Sequence, residues 1–168
     1  MAELTPSERL QPCLLDRLTD DEPKARKESR DRRVISMRRY RDAVLRDLGW
    51  LMNTGALPHG DPIYEFERAA TSVLNFGTHD LSGRTAEGTD SMVLEREMLQ
   101  AILRFEPRIL PESLKVRAVA AAGRMDQNAI SFEITGDLWA QPMPDQMYIK
   151  TEVDLETGAC EVKMEGVG

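Results

Sequence analysis

The sequence predicts an α+β domain, with helices first and an antiparallel sheet after them. Two observations carry this. Apolar residues recur at helical spacing as far as Phe105 and alternate from Leu114 onward. The alternating segments are joined by the short links "GRMDQN", "AQPMPDQ" and "ETG". Links this short favour antiparallel neighbours, because a parallel crossover needs a dozen residues or more. Helices followed by strands define the α+β class, with the helices packed on one face of the sheet.

The first helix is predicted roughly from Val34 to Met52. Tyr40, Val44, Leu45, Leu48, Leu51 and Met52 recur on one face, while Arg38, Arg39, Arg41, Asp42 and Arg46 fall mostly elsewhere. "NTGALPHGDP" ends it with Asn, Gly and Pro. A second, shorter helix is expected over Tyr64 to Leu74, with Asn75 and Phe76 in its last turn and Gly77 stopping it. "THDLSGRTAEGTD" reads as a loop. The third helix opens after Thr89 or Asp90, either of which can cap it, with Glu95 and Glu97 near its positive end. Its apolar side is Leu94, Met98, Leu99, Ile102, Leu103 and Phe105. Pro107 lacks an N–H and disfavours helical geometry at Glu106, so the helix ends there.

Four strands follow. Residues 114–121 alternate Leu114, Val116, Ala118 and Ala120 against Lys115 and Arg117. Residues 129–139 put Ile130, Phe132, Ile134 and Leu138 on one face. Residues 147–155 set Met147, Ile149, Thr151, Val153 and Leu155 against Tyr148, Lys150, Glu152 and Asp154. The last strand carries Cys160, Val162 and Met164 on one side. Its residues Ala159, Cys160, Glu161, Val162 and Lys163 form the expected open edge, where a strand from another chain can add.

At 168 residues the chain suits one domain and a tail. Residues 1–30 read as a flexible arm and 31–168 as a single α+β domain. Within the arm, Leu14, Leu15, Asp16, Arg17 and Leu18 form a short apolar island that can dock through its leucines. The net charge is −7, which gives no reason to expect nucleic acid or anionic membrane. Residues 24–41 nevertheless hold nine basic residues against Glu28 and Asp31. With only Tyr40 for stacking, that run suits an acidic protein partner better than nucleic acid. The two cysteines make no disulfide framework or zinc motif. No long apolar run or signal peptide is present, so a cytosolic protein without membrane insertion is expected. GxGxxG, P-loop, GxSxG and HExxH patterns are absent. His59 and His79 lie in loops without a second ligand at metal spacing and read as surface residues, and no cofactor is expected.

"RFEPRIL" carries the most chemistry. Glu106 and Arg108 flank Pro107 at the helix end. A glycosidase needs two carboxylates about 5–9 Å apart, one of them a proton donor. An arginine two residues away favours the ionised carboxylate, which is the wrong state for a donor. Among Asp80, Asp90 and Glu112, spacing singles out no second carboxylate. A structural ion pair and a partner-docking element both fit the residues.

The ordered set "LLDRLTDDEP", "VLRDLGWLMNT", "SVLNFGTHDLSG", "AILRFEPRIL" and "ISFEITGDLWAQPMPDQMYIKTEVDLETG" resembles the TssE family. These are baseplate wedge components of the bacterial type VI secretion system, similar to the small wedge protein of contractile phage tails that carries a "lysozyme-like" label. The resemblance spans roughly residues 12 to 164. Phe76 stands where the family often has a tyrosine, and the first dozen residues are not explained by it. The resemblance implies a non-enzymatic assembly role on the cytoplasmic side of the bacterial inner membrane, with baseplate partners TssF, TssG and TssK beneath a sheath of TssB and TssC. It implies that the sheet helps start sheath polymerisation, and that Glu106, Pro107 and Arg108 contact other wedge proteins. A peptidoglycan hydrolase and a wedge protein of a phage tail-like particle are the alternatives.

Overall fold

The computed structural model describes residues 10, 12–19, 35–82, 90–119, 129–140 and 143–165. The predicted links through 120–128, the loop residues 83–89 with Thr89, and the basic run up to residue 34 lie outside them. The helices are α1 (Leu14–Leu18), α2 (Met37–Met52), α3 (Glu67–Ala70) and α4 (Ser91–Phe105). The strands are β1 (Lys115–Val119), β2 (Ala129–Leu138), β3 (Asp145–Asp154) and β4 (Cys160–Met164). They form one antiparallel sheet in the order β1-β2-β3-β4. The fold is α+β, as the change of period predicts.

α2 starts where the Ser36 hydroxyl accepts a hydrogen bond from the Arg39 N–H. It buries Tyr40, Ala43, Val44, Leu48, Leu51 and Met52. α4 is capped by Asp90, which accepts from the Met92 N–H, and stops at Phe105, two residues before Pro107. Leu94, Met98, Ala101 and Ile102 face the core. Leu103 departs from expectation: it is exposed, and Ala101 takes the inward position one helical turn from Met98.

On the sheet, Phe132, Ile134, Leu138, Met147, Ile149 and Val153 face the helices in the alternation the sequence predicts. α4 lies over the β1 side and α2 over the β4 side. The core is the layer between them. Burial pushes the Cys160 thiol up to about 11, only partly offset by a hydrogen bond with Thr151.

The second predicted helix is not continuous. Residues 62–75 form a 3₁₀ turn (Pro62–Glu65), the single turn of α3, and another 3₁₀ turn (Val73–Asn75). Polar side chains take backbone groups that a helix would use. The Ser72 hydroxyl accepts from the Leu74 N–H and donates to the Ala69 carbonyl. Buried Asn75 donates to the Ala70 carbonyl and accepts from the Leu57 N–H. These bonds tie the segment to the loop after α2.

That loop forms a parallel bridge, Gly55 to Thr78. Gly77 sits at φ +137, and a Cβ there would meet the Thr54 carbonyl oxygen at 2.3 Å. Only glycine allows this approach.

Candidate functional site

The stretch after α4 is drawn onto the sheet. Ile109 pairs with Leu138. The Leu110 N–H donates to the Asp137 carbonyl, and the Trp139 N–H to the Arg108 carbonyl, both at 2.8 Å. Gly136 makes room, since a Cβ there would meet a methyl of Ile109 at 2.8 Å. Glu106, Pro107 and Arg108 therefore sit in a fixed turn between α4 and β2.

Glu106 is only 3% exposed. Its Oε1 accepts from the Arg108 backbone N–H at 3.2 Å and from Arg108 Nε at 2.6 Å, and its Oε2 from Nη2 at 2.5 Å. The pair is bidentate, the strongest form of carboxylate–guanidinium contact. Arg108 Nη2 also donates to Asp47 Oδ2 at 2.6 Å. Asp47 Oδ1 accepts from Arg46 Nε at 2.9 Å. Arg46 Nη1 reaches Asp16 Oδ1 at 2.7 Å. The result is a chain of alternating charge, Glu106–Arg108–Asp47–Arg46–Asp16, running from the buried turn to α1.

The electrostatics follow from this order. Burial would depress Arg108, but the hydrogen bonds and charge of Glu106, then those of Asp47, outweigh it and raise its pKa. Burial also works against the charge of Asp16. The Cys13 thiol and the Arg46 guanidinium outweigh that and hold the carboxyl below its ordinary value. Exposure grows from Glu106 to 34% at the Arg46 side chain and falls again to 14% at Asp16. That guanidinium also lies 5.0 Å from the centroid of the exposed Trp50 ring. An open groove runs beside the network, lined by Leu15, Trp50, Phe76, Phe105 and Pro107.

The network joins two sets of residues that the sequence presents separately. Glu106–Pro107–Arg108 and the Leu14–Leu18 segment are linked through Arg46 and Asp47. The apolar spacing of α2 puts Arg46 away from the core face and gives Asp47 no role, because adjacent opposite charges on a helix carry no mark of a distant partner. Leu14, Leu15, Arg17 and Leu18 are exposed and Asp16 is part-buried. On β4, Glu161 and Lys163 are exposed, Val162 is half-buried and Cys160 is buried, with Ala159 exposed just before it.

The edge is also narrower than the sequence suggests. The Asn53 side chain accepts from the Cys160 N–H at 2.9 Å and donates to the Cys160 carbonyl at 2.8 Å. The first outward-facing position of β4 is therefore closed by α2. By the antiparallel alternation, Val162 and Met164 keep their N–H and C=O groups toward the edge.

His59 is exposed, as expected, and His79 is part-buried. Their rings are 3.9 Å apart between centroids, and Glu97 Oε1 is 3.6 Å from His59 Nε2. The bridge between Gly55 and Thr78 brings the two loops together, a contact no local spacing encodes. Among the candidate carboxylate partners of Glu106, Asp90 lies at the opposite end of the 15-residue α4, roughly 24 Å away along its axis.

Helices on one face of a small antiparallel sheet, with a clamped ion-pair turn between them, make this a small α+β domain. The chain belongs to a family of such proteins: the model of the baseplate wedge protein gp25 family matches residues 38–143. The match takes in α2, α4, the Glu106–Arg108 turn, β1 and β2. Searches of curated proteins and of solved structures found no match. The chain is thus a structural component of a baseplate, in contact with other baseplate proteins. Among the described residues no helix is long and apolar enough to cross a membrane.

Proposed function

We propose that this chain is the TssE-type wedge subunit of a type VI secretion baseplate, linking the wedge to the sheath and helping to start sheath polymerisation. What carries the reading is the turn of Glu106, Pro107 and Arg108, held by α4, β2 and Asp47 so that exposed Pro107 stands beside the groove and the α1 leucines. A surface held rigid before binding loses little conformational entropy when a partner covers it. The wedge partners TssF, TssG and TssK dock there in this reading. A strand of the sheath proteins TssB and TssC adds at Val162 and Met164 of β4. The work is done at the cytoplasmic side of the inner membrane, with residues 1–30 as an arm attached to the domain of 31–168.

Co-expression with the TssF–TssG pair tests the wedge contact. Leu14→Ser with Leu18→Ser, Pro107→Ala, and Arg108→Ala are compared with wild type in a pull-down, with circular dichroism reporting folding. Folded variants that lose the complex support the reading. Folded variants that all bind normally place the wedge contact elsewhere.

A wedge protein of a phage tail-like particle is the second reading, favoured by the breadth of the matched family. Sheath genes beside a tail-tube and tape-measure cluster, in place of a secretion cluster, would select it. What speaks against a hydrolase role for Glu106 is that both of its oxygens are engaged by Arg108.

A further inference from the structure

The loop after α2 and the turn after Val73–Asn75 are fastened side by side. The Ala56 N–H donates to the Thr78 carbonyl at 2.8 Å, and the Thr78 N–H to the Thr54 carbonyl at 2.9 Å. The Tyr64 hydroxyl and the Asn75 amide hold the Leu57 carbonyl and N–H from either side. His59 is two residues further on, and His79 directly follows Thr78. Their rings stack 3.9 Å apart at 33°. Glu97 arrives from α4, and one ligand atom from each of the three residues lies within 4.8 Å of the others.

We propose that His59, His79 and Glu97 form a binding site for a divalent transition-metal ion, with zinc the best fit. Two imidazole nitrogens and one carboxylate oxygen are a ligand set that zinc accepts. Calcium and magnesium prefer oxygen alone. Tetrahedral zinc with bonds of about 2.0–2.1 Å sets its ligand atoms about 3.3 Å apart, so the set must close by up to about 1.5 Å. The His59 side chain is 69% exposed, which leaves it room to turn toward Glu97, 25% exposed on α4. The fourth position stays open to water. The three ligands come from three separate segments, so a bound ion would fasten the loops that carry His59 and His79 to α4.

The test uses the untagged full-length chain carrying Cys13→Ser, which removes the half-buried thiol as a competing ligand. After treatment with a chelator, zinc is titrated against a chromogenic competitor, and thermal unfolding is followed with and without zinc. The expected result is one zinc per chain, affinity reduced about tenfold or more by His59→Ala or by Glu97→Gln, and a rise in Tm with zinc that the variants lose. His59 is exposed, so His59→Ala is expected to leave the fold intact, and circular dichroism checks this. Zinc affinity equal in the parent and in His59→Ala, or a Tm indifferent to zinc, overturns the proposal and leaves the stacked histidines as surface packing.

Discussion

Glu106 and Asp16 stand at opposite ends of one charge network, and their burial sets what each contributes. Glu106 is 3% exposed and meets an Arg108 side chain that is 18% exposed. Removing one member of such a pair leaves a buried charge without compensation, so Glu106→Ala is expected to cost about 3–5 kcal/mol in urea unfolding. Asp16→Asn acts on a part-buried carboxyl whose partner Arg46 is 34% exposed and keeps Asp47, so it is expected to cost less, about 1–2 kcal/mol. The Asp16 carboxyl has a lowered folded-state pKa. Its contribution is therefore complete above the ordinary value of 3.8 and lost as pH falls through the lower folded value. Asp16→Asn should slightly flatten the acid limb of a stability profile measured between neutral pH and pH 2–3. The thiols differ as well. Cys160 is buried, with its pKa raised to about 11, so at pH 8 a thiol reagent should label Cys13 first and reach Cys160 only on unfolding.

At the scale of elements, β4 is held from two sides. β3 pairs with it along Ile149–Val153, and Asn53 at the end of α2 takes both backbone groups of Cys160. Val162→Pro removes an N–H that faces the open edge and leaves the β3 ladder intact, a place where strands tolerate proline. The expected outcome is a folded protein that fails to initiate sheath assembly. Sheath formation at the wild-type rate would separate β4 from sheath docking. The irregular segment 62–75 depends on a different device. Gly77→Ala combines positive φ with contact against the Thr54 carbonyl, so a loss of about 1–3 kcal/mol or more is expected by calorimetry. The same substitution should move His59 away from His79, and imidazole chemical shifts would report it.

Across the whole molecule, the helical layer and the sheet are joined where the charges are. α2 bonds to the start of β3 through Arg41 and Asp145 at 2.5 Å, to β4 through Asn53, and to the turn after α4 through Asp47. Charge is also segregated along the chain, because residues 24–41 carry a local excess of positive charge in a protein of net −7. Exposed Arg38 and Arg39 extend that excess onto the start of α2. If this face meets an acidic wedge partner, association should weaken markedly between 50 mM and 500 mM salt, because exposed charges are screened beyond about 10 Å at 0.1 M. Affinity unchanged over that range, measured by interferometry against the TssF–TssG pair, would assign binding to the apolar groove instead.

The sequence by itself determined the fold class, the inward faces of β2 and β3 and the stop of α4 before Pro107. These depend on side-chain period and on the missing N–H of one proline, which neighbouring residues settle. It also carried the family resemblance, in the order of its short segments. Tertiary structure alone decided the rest. Arg108 finds Asp47 across 61 residues, and Arg46 finds Asp16 across 30. Asn75 reaches back to Leu57 and breaks a helix that local spacing favours. His59 and His79 meet where Gly77 lets two loops touch. In each case a polar side chain is satisfied by a partner far along the chain, and local pattern holds no record of that partner until the core between the helices and the sheet has formed.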